Sequence, residues 1–281
     1  MTGMELLLLG TAAAEGWPAP FCRCVNCEEA RRRGGPNIRM RSGALIDDDL
    51  KIDYGADTVV QMQRSGRSLA NLRTLVFTHQ HSDHIIPQEL WWVIPPFTQT
   101  PPASPITVCG NAQVLELVRQ ELENRPEVSK QLDLRLLECM CPLMLADGDT
   151  LLPLPADHIE NAFVLRITRS AARGGKTLFY GHDSGLYPEA TLEALAKGPA
   201  LDIALFDCTN GGLKTDNRGH MGVDGVVKMA AELRRRGAAT AQTRLIATHF
   251  SHNGGLLHEE LVGAFLAHGI DVAFDGMTVR V

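Results

Sequence analysis

Residues 78–84 read THQHSDH, and this short stretch carries the strongest signal for both fold and chemistry. It contains three imidazoles and one carboxylate, on His79, His81, Asp83 and His84. The three residues before it are apolar, as in a buried strand, and a strand that ends in a loop lets several side chains converge on one point. Such ligands suit zinc, and also manganese or iron. The stretch therefore predicts a metal site at the end of a strand.

Short apolar segments along the rest of the chain predict strands, with helical periodicity between them. The predicted strands cover residues 5–10, 43–46, 50–53, 74–78, 106–109, 163–168, 177–180, 203–207, 244–248 and 271–274. Helices are expected at residues 112–124, 223–236 and about 256–268, and a surface loop at the proline-rich residues 94–105. Two sheets packed face to face with helices outside would suit this pattern. No linker divides the chain, so a single domain over residues 1–281 is expected.

The composition narrows the class of protein. The 281 residues are 44% hydrophobic and 21% charged, which is ordinary for a globular chain with a buried core. The net charge of -6 gives no support for nucleic-acid binding through a broad basic surface. The apolar run at residues 6–9 is too short for a signal peptide, and no run approaches a membrane span, which favours a cytoplasmic protein with no membrane partner. In a reduced compartment, metal ligands or buried thiols are the preferred interpretation of the seven cysteines, ahead of disulfides.

The spacing His79-x-His81-x-Asp83-His84 resembles the signature of the metallo-β-lactamase superfamily, and the resemblance covers nearly the whole chain. It implies an α/β fold, the αββα sandwich of two packed mixed β-sheets flanked by helices. It also implies later ligands, which match His158 in LPADH, Asp183 in YGHDSG and His249 in ATH.

The same resemblance implies a pair of divalent metals. His79, His81 and His158 would hold one metal, Asp83, His84 and His249 would hold the other, and Asp183 would bridge them. Two cations that share a carboxylate and a water lower the pKa of that water until hydroxide is present near neutrality. The His/Asp ligand set accepts zinc, manganese or iron. Asp53 is expected either to orient a ligand or to be a simple turn carboxylate.

A second metal site is predicted near the N-terminus. Cys22, Cys24 and Cys27 have C-x-C-x-x-C spacing, which lets three thiols converge on one soft ion and leaves a fourth position. The segment resembles the Cys-rich insertion of PhnP-type phosphodiesterases, which implies a structural zinc completed by His252 and an insertion at about residues 17–40. The alternative is three reduced thiols in a flexible loop. The other cysteines are expected to be buried thiols, namely Cys109, Cys139, Cys141 and Cys208.

The resemblance also implies a reaction, the hydrolysis of a small or cyclic phosphodiester by a metal-activated hydroxide. Asp83 and Asp183 would take part through the metals, and His220 matches a histidine thought to protonate the leaving oxygen. Such a donor helps because an alkoxide leaves poorly unless it is protonated. Otherwise His220 is a surface residue in a Gly-flanked loop. His182, next to Asp183, departs from the PhnP pattern. It is interpreted either as a packed neutral imidazole or as a residue that modifies the pocket.

Two other functions remain open on the same metal pair. One is a carboxylic-ester hydrolase, such as a lactonase, a thioesterase or a β-lactamase-like enzyme. The other is an RNA-processing nuclease, for which the chain has no basic arm or patch. A metal-free binding module is disfavoured because every ligand type is present. Relatives suggest a homodimer.

Overall fold

Two seven-stranded β-sheets form the centre of the computed structural model, which describes residues 3–281. The strands are β1 Glu5–Gly10, β2 Gly43–Ile46, β3 Leu50–Ile52, β4 Thr74–Val76, β5 Ile106–Gly110, β6 Leu132–Leu136, β7 Leu143–Met144, β8 Thr150–Pro155, β9 Phe163–Thr168, β10 Thr177–Gly181, β11 Leu201–Asp207, β12 Ala239–Thr248, β13 Asp271–Val272 and β14 Thr278–Arg280. The helices are α1 Val25–Arg33, α2 Thr58–Ser65, α3 Ala112–Leu122, α4 Pro126–Ser129, α5 Glu189–Lys197, α6 Val223–Arg235 and α7 His258–Phe265.

Each sheet mixes parallel and antiparallel pairs. The first has the order β14-β1-β2-β3-β4-β5-β6, and the second has the order β13-β12-β11-β10-β9-β8-β7. Strands β3 to β6 run parallel to one another, as do β10 to β13. Parallel neighbours deliver their carboxyl ends to one edge of a sheet, which is where side chains from separate loops can meet.

The two sheets pack face to face through apolar side chains. Leu6, Leu8 and Ile46 of the first sheet and Phe179 and Leu205 of the second are fully buried in one cluster. A smaller cluster lies under α3 on the outer face of the first sheet. This layering confirms the predicted αββα sandwich, because each sheet buries one face against the other and part of its second face under helices.

All ten predicted strands have counterparts in the structure, including the antiparallel β1, β2 and β9, although some bounds differ. Helices α3 and α6 and the irregular residues 94–105 lie where the sequence predicted them. The last helix is shorter than expected, since α7 ends at Phe265 and a 3-10 turn follows at Leu266–His268. The expected strand at 271–274 is only two residues long.

Several elements were missed by the sequence analysis, among them β6, β7 and β8. Strand β8 contains Pro153 and Pro155, and proline normally argues against a paired strand. Strands β6 and β7 are edge strands with mostly exposed or half-exposed side chains, so they lack a continuous apolar pattern. Among residues 3–281 no helix is both long and apolar enough to cross a bilayer.

Candidate metal centre

All seven predicted ligands lie on loops that follow strands at one edge of the sandwich. The loop after β4 carries His79, His81, Asp83 and His84, and the loops after β8, β10 and β12 carry His158, Asp183 and His249. Asp183 and His249 have left-handed backbones, with φ of 47° and 60°. Such a conformation costs a non-glycine residue roughly 1–3 kcal/mol and is found mostly where the surroundings hold a functional side chain in place.

Three imidazoles from two loops form the first group of the site. His79 Nε2 lies 2.9 Å from His81 Nδ1, and His158 Nε2 lies 3.3 Å from the same His81 atom. The three ring nitrogens are within 4.8 Å of one another. His79 is buried, while His81 and His158 are partly exposed, so the group lies at the surface end of the site. Three converging imidazole nitrogens are a ligand set that zinc and related ions accept.

The second group is deeper and contains Asp83, His84, His249 and Asp183. The Nε2 atoms of His84 and His249 lie 2.9 and 3.2 Å from Asp183 Oδ2. All three atoms are buried, and within residues 3–281 none of them has a hydrogen-bond partner. Buried polar atoms that converge without hydrogen bonding cost free energy unless a ligand satisfies them. The residues therefore fit a divalent cation, with Asp183 placed between the two groups.

Carboxylates behind the ligands determine which imidazole nitrogen faces the site. His84 Nδ1 lies 2.7 Å from Asp53 Oδ2, while His249 Nδ1 lies 2.9 Å from the Thr209 hydroxyl and 3.3 Å from Asp207 Oδ2. An ionised carboxylate only accepts hydrogen bonds, so each Nδ1 carries the proton and each Nε2 keeps a free lone pair. Asp53 also accepts hydrogen bonds from the backbone and hydroxyl of Thr78. Of the two alternatives for Asp53, the structure supports the orienting carboxylate.

The electrostatics of the second group favour positive charge. Burial lowers the pKa of His249, but the neighbouring carboxylates of Asp183 and Asp207 outweigh burial and raise that pKa to about 10. Burial raises the pKa of Asp183, but the neighbouring His249 and His84 hold it well below its usual range. A buried site that stabilises cationic imidazoles next to an ionised carboxylate also stabilises a bound metal cation. Protons and the metal compete for the same imidazole nitrogens.

Asp207 is the functional residue that the sequence analysis missed. It is fully buried at the end of β11, where its Oδ2 accepts from His220 Nδ1 at 2.9 Å and lies 3.3 Å from His249 Nδ1. Its Oδ1 accepts the backbone N–H groups of Thr209 and Met221. The sequence offered one indication of its role, because Asp207 is the last residue of a predicted strand and other site residues also lie at or just after strand ends. One carboxylate thus orients both a candidate metal ligand and His220.

His220 lies beside the metal groups, as predicted. Its ring centroid is 4.9 Å from that of His158 and 5.8 Å from that of His249. Burial lowers the pKa of His220, but the hydrogen bond and charge of Asp207 outweigh burial and raise it. Because Asp207 takes Nδ1, Nε2 is the nitrogen left to exchange a proton with another group. The side chain is 30% exposed, so solvent or a ligand can reach it.

The Cys-rich segment places all four predicted zinc ligands together. The Sγ atoms of Cys24 and Cys22 lie 3.4 and 3.7 Å from His252 Nδ1, and Cys27 Sγ completes the group. Burial raises the pKa of the Cys24 thiol, but hydrogen bonds from the Cys27 backbone and from His252 outweigh burial and lower it to about 6. A thiolate is the form that binds zinc. Asn26 Nδ2 donates to the His252 carbonyl at 2.8 Å, a direct link between the segment and the loop that follows His249.

Two of the four remaining cysteines contradict the prediction of buried thiols. Cys109 and Cys208 are buried as predicted, but Cys139 and Cys141 are exposed. They flank Met140, which has a left-handed φ of 65°, in a turn between β6 and β7. The two thiols are exposed because the chain crosses from one sheet to the other at this point.

His182 is a packed imidazole next to Asp183. It is buried and stacks on Tyr180 with ring centroids 3.9 Å apart. Burial, reinforced by the nearby His249, lowers the pKa of His182 to about 3, so the ring is neutral. The structure therefore supports the packing interpretation rather than a group that faces the pocket.

This architecture and ligand arrangement define the class of protein. The family model described as the beta-lactamase superfamily domain matches residues 50–250, more than half of the chain. The chain belongs to the beta-lactamase superfamily and is a hydrolase of the metallo-β-lactamase fold, a family that usually binds divalent metals such as zinc.

Individual relatives are similar over nearly the full length. Coenzyme PQQ synthesis protein B of Azoarcus sp. (strain BH72) is 26% identical over 320 aligned positions, which cover 98% of this chain and 99% of that protein. The crystal structure of a new diphosphatase from the PhnP family has a TM-score of 0.75 at 23% identity, over 99% of this chain and 98% of that one. Zinc-bound PqqB from Methylobacterium extorquens has a TM-score of 0.72 at 17% identity, over 99% of this chain and 100% of that one. The short form of human tRNase Z has a TM-score of 0.63 at 18% identity, over 98% of both chains. At such low identities these structures show the common fold and no more.

Proposed function

We propose that the chain is a metal-dependent phosphodiesterase that hydrolyses small or cyclic phosphodiesters. The observation that carries the proposal is the His220 imidazole, held by the buried Asp207 carboxylate at 2.9 Å and adjacent to both ligand groups. Hydrolysis of a thioester places less demand on a proton donor, because a thiolate is a weaker base than an alkoxide and leaves more readily.

Two divalent cations are part of this proposal, and the two ligand groups support it. His79, His81 and His158 would hold one, Asp83, His84 and His249 would hold the other, and Asp183 would contact both. When bound, such a pair lowers the pKa of a coordinated water and polarises a phosphoryl oxygen. The cysteine group with His252 would hold a third ion, a structural zinc.

Residues that do not bind the metals would orient the ligands and transfer the proton. Asp53 and Asp207 keep the Nε2 atoms of His84 and His249 directed at the site. His220, with Nδ1 bound to Asp207, holds a proton at Nε2 for the oxygen that leaves. After transfer, the neutral imidazole is reprotonated by water, since its partly exposed edge is open to solvent.

The substrate is proposed to be small. The net charge of -6 disfavours a long nucleic-acid ligand, whose affinity depends on many phosphate contacts. Among the fold relatives, one is named a diphosphatase and another a tRNase Z, so phosphate-ester and phosphate-anhydride chemistry both occur on this fold. A diphosphate therefore belongs among the substrates to test.

A parallel activity screen tests the proposal. The purified protein is loaded with Zn²⁺, Mn²⁺ or Fe²⁺ and given bis(p-nitrophenyl) phosphate, a nucleoside 2′,3′-cyclic phosphate, a diphosphate ester, a lactone and a thioester. The expected result is highest kcat/KM on the phosphodiesters. Turnover of the lactone or thioester above the phosphodiesters would instead assign a carboxylic-ester hydrolase.

A further inference from the structure

Asn111 lies between the two loops that carry the three-histidine group. It is buried at the carboxyl end of β5, directly before α3. Its Nδ2 donates to Gln80 Oε1 at 3.1 Å and to the Asn161 carbonyl at 2.8 Å. Gln80 stands between His79 and His81, and Asn161 is in the β8–β9 loop that also carries His158.

The three polar groups of this amide are all in use. The two Nδ2 hydrogens are donated to the two loops, and Oδ1 accepts the Val114 backbone N–H at 2.8 Å as the N-cap of α3. The flipped amide would place its oxygen opposite two acceptors and its NH2 opposite a donor, so this network determines the orientation. A side chain with one acceptor and two donors is needed here, and only an amide provides it.

The contacts of Asn111 are confined to one half of the site. Both loops that it joins contribute ligands to the group of His79, His81 and His158. Of the deeper group, Asp83 and His84 share the loop of His79 and His81, but His84 Nδ1 is held separately by Asp53 Oδ2 at 2.7 Å. His249 lies on the loop after β12, which none of these Asn111 hydrogen bonds reaches. Near the site the Phe163 backbone N–H also donates to the Thr78 carbonyl at 3.1 Å, and His158 Nε2 lies 3.3 Å from His81 Nδ1. The side chain of Asn111 therefore controls how closely the His158 loop approaches His81.

We propose that Asn111 is a positioning residue that sets the affinity of the three-histidine group for its metal independently of the deeper group. The inference rests on the proposed two-metal function. Without the two donors, the His158 loop is tied to the His79–His81 segment mainly through backbone contacts. The three imidazoles then spend less time in the arrangement that binds a cation.

Metal binding tests this role without reference to hydrolysis. The Asn111→Ser variant keeps an N-cap oxygen for α3 but loses the NH2 group that donates to both loops at once, so the helix is preserved and the link between the loops is removed. Gln80→Met removes one acceptor and leaves Asn111 intact, and Gln113→Ala changes an exposed residue of the same helix as a control. Chelator-treated proteins are titrated with Zn²⁺ against a chromophoric competitor, and crystals grown at limiting Zn²⁺ are examined by anomalous diffraction.

The expected result is a selective loss. In Asn111→Ser, affinity for one active-site ion falls by about tenfold, and the anomalous peak among His79, His81 and His158 weakens while the deeper peak stays. Gln80→Met shows a smaller loss of the same kind, and Gln113→Ala binds as the wild type does. Equal weakening of both ions, or no change in either, overturns the role of Asn111. A wild-type protein that binds no ion at these groups overturns the proposed function itself.

Discussion

At the scale of single residues, the site depends on carboxylates that never face the substrate. Asp53 and Asp207 are completely buried, and each orients an imidazole of the deeper metal group. The sequence could predict the imidazoles, because THQHSDH concentrates them in one stretch. It could not predict that Asp207 would serve two histidines that lie 13 and 42 residues further along the chain, since local sequence does not encode such distant pairing.

His220 gives a prediction about the leaving group. The His220→Ala variant should hydrolyse a nucleoside 2′,3′-cyclic phosphate roughly 10²–10⁴-fold more slowly, because an alkoxide then leaves unprotonated. Hydrolysis of bis(p-nitrophenyl) phosphate should fall by less than about tenfold, since an aryl oxide leaves without help. The measurement is kcat on both substrates, with the exposed His268→Ala as control. Equal losses on the two substrates would rule out proton donation by His220.

Lys51 gives a prediction about pH. This lysine is fully buried, and burial, only partly offset by the Asp53 charge, lowers its pKa to about 8. Between about pH 8 and 10.5 the unfolded chain therefore binds more protons at this position than the folded protein, so the free energy of unfolding rises with pH through that window. Below it, both states carry the charge and no pH dependence arises from this residue.

The Lys51→Met variant isolates this contribution, since methionine has a similar shape and does not titrate. From pH 7 to pH 10 the free energy of unfolding of the wild type should gain about 2 kcal/mol relative to the variant. Urea unfolding of chelator-treated protein at the two pH values measures the difference. The exposed Lys197→Met should show no such gain. A pH-independent difference for Lys51→Met would contradict the depressed pKa.

At the scale of elements, what could be predicted depended on burial. Strands β4 and β10 are buried along their whole length, and β11 is buried except at Asp202, so their apolar runs were predictable together with the site loops that follow them. Strand β8 carries two prolines and was missed, although His158 after it was found through the family resemblance. Pairing with β9 outweighs the local preference of these prolines, and a sequence alone does not reveal that partner.

The Cys-rich segment is held at both ends by contacts with other parts of the chain. Its base is closed by paired backbone bonds between Trp17 and Arg39, at 2.9 and 2.7 Å, and its far end meets His252. Cys24→Ser should therefore reduce zinc by one ion per chain after mild chelation and accelerate tryptic cleavage within residues 17–40. Cys139→Ser, at an exposed cysteine, is the control and should retain zinc. Zinc content that is unchanged in Cys24→Ser would exclude the cysteine site.

At the scale of the whole molecule, the two sheets are joined by charge at the end opposite the metal groups. The buried Arg169 follows β9 in the second sheet, and it donates to Asp49 at 2.8 Å and to Asp47 at 3.0 Å in the β2–β3 turn of the first. It also donates to Asp149 at 2.5 Å. Loss of this buried arginine is destabilising, because the buried Asp149 is then left with only the partly exposed Arg173, at 3.0 Å, to balance its charge.

Arg169→Met should lower the free energy of unfolding by roughly 3–5 kcal/mol. The exposed pair Arg244–Asp271 offers a matched comparison, and Arg244→Met should lower it by less than about 1 kcal/mol. Urea unfolding measures both, and zinc binding at the far end of the sandwich should be unchanged in either variant. A loss below about 1 kcal/mol for Arg169→Met would mean that the apolar core alone holds the sheets together.

The central claim is that seven side chains from four loops hold a pair of cations. Anomalous diffraction from crystals of the wild-type protein grown with excess Zn²⁺ tests it most directly. The account predicts one ion among His79, His81 and His158, a second among Asp83, His84 and His249, and Asp183 in contact with both. Crystals in which these groups keep their places with no ion between them would contradict it.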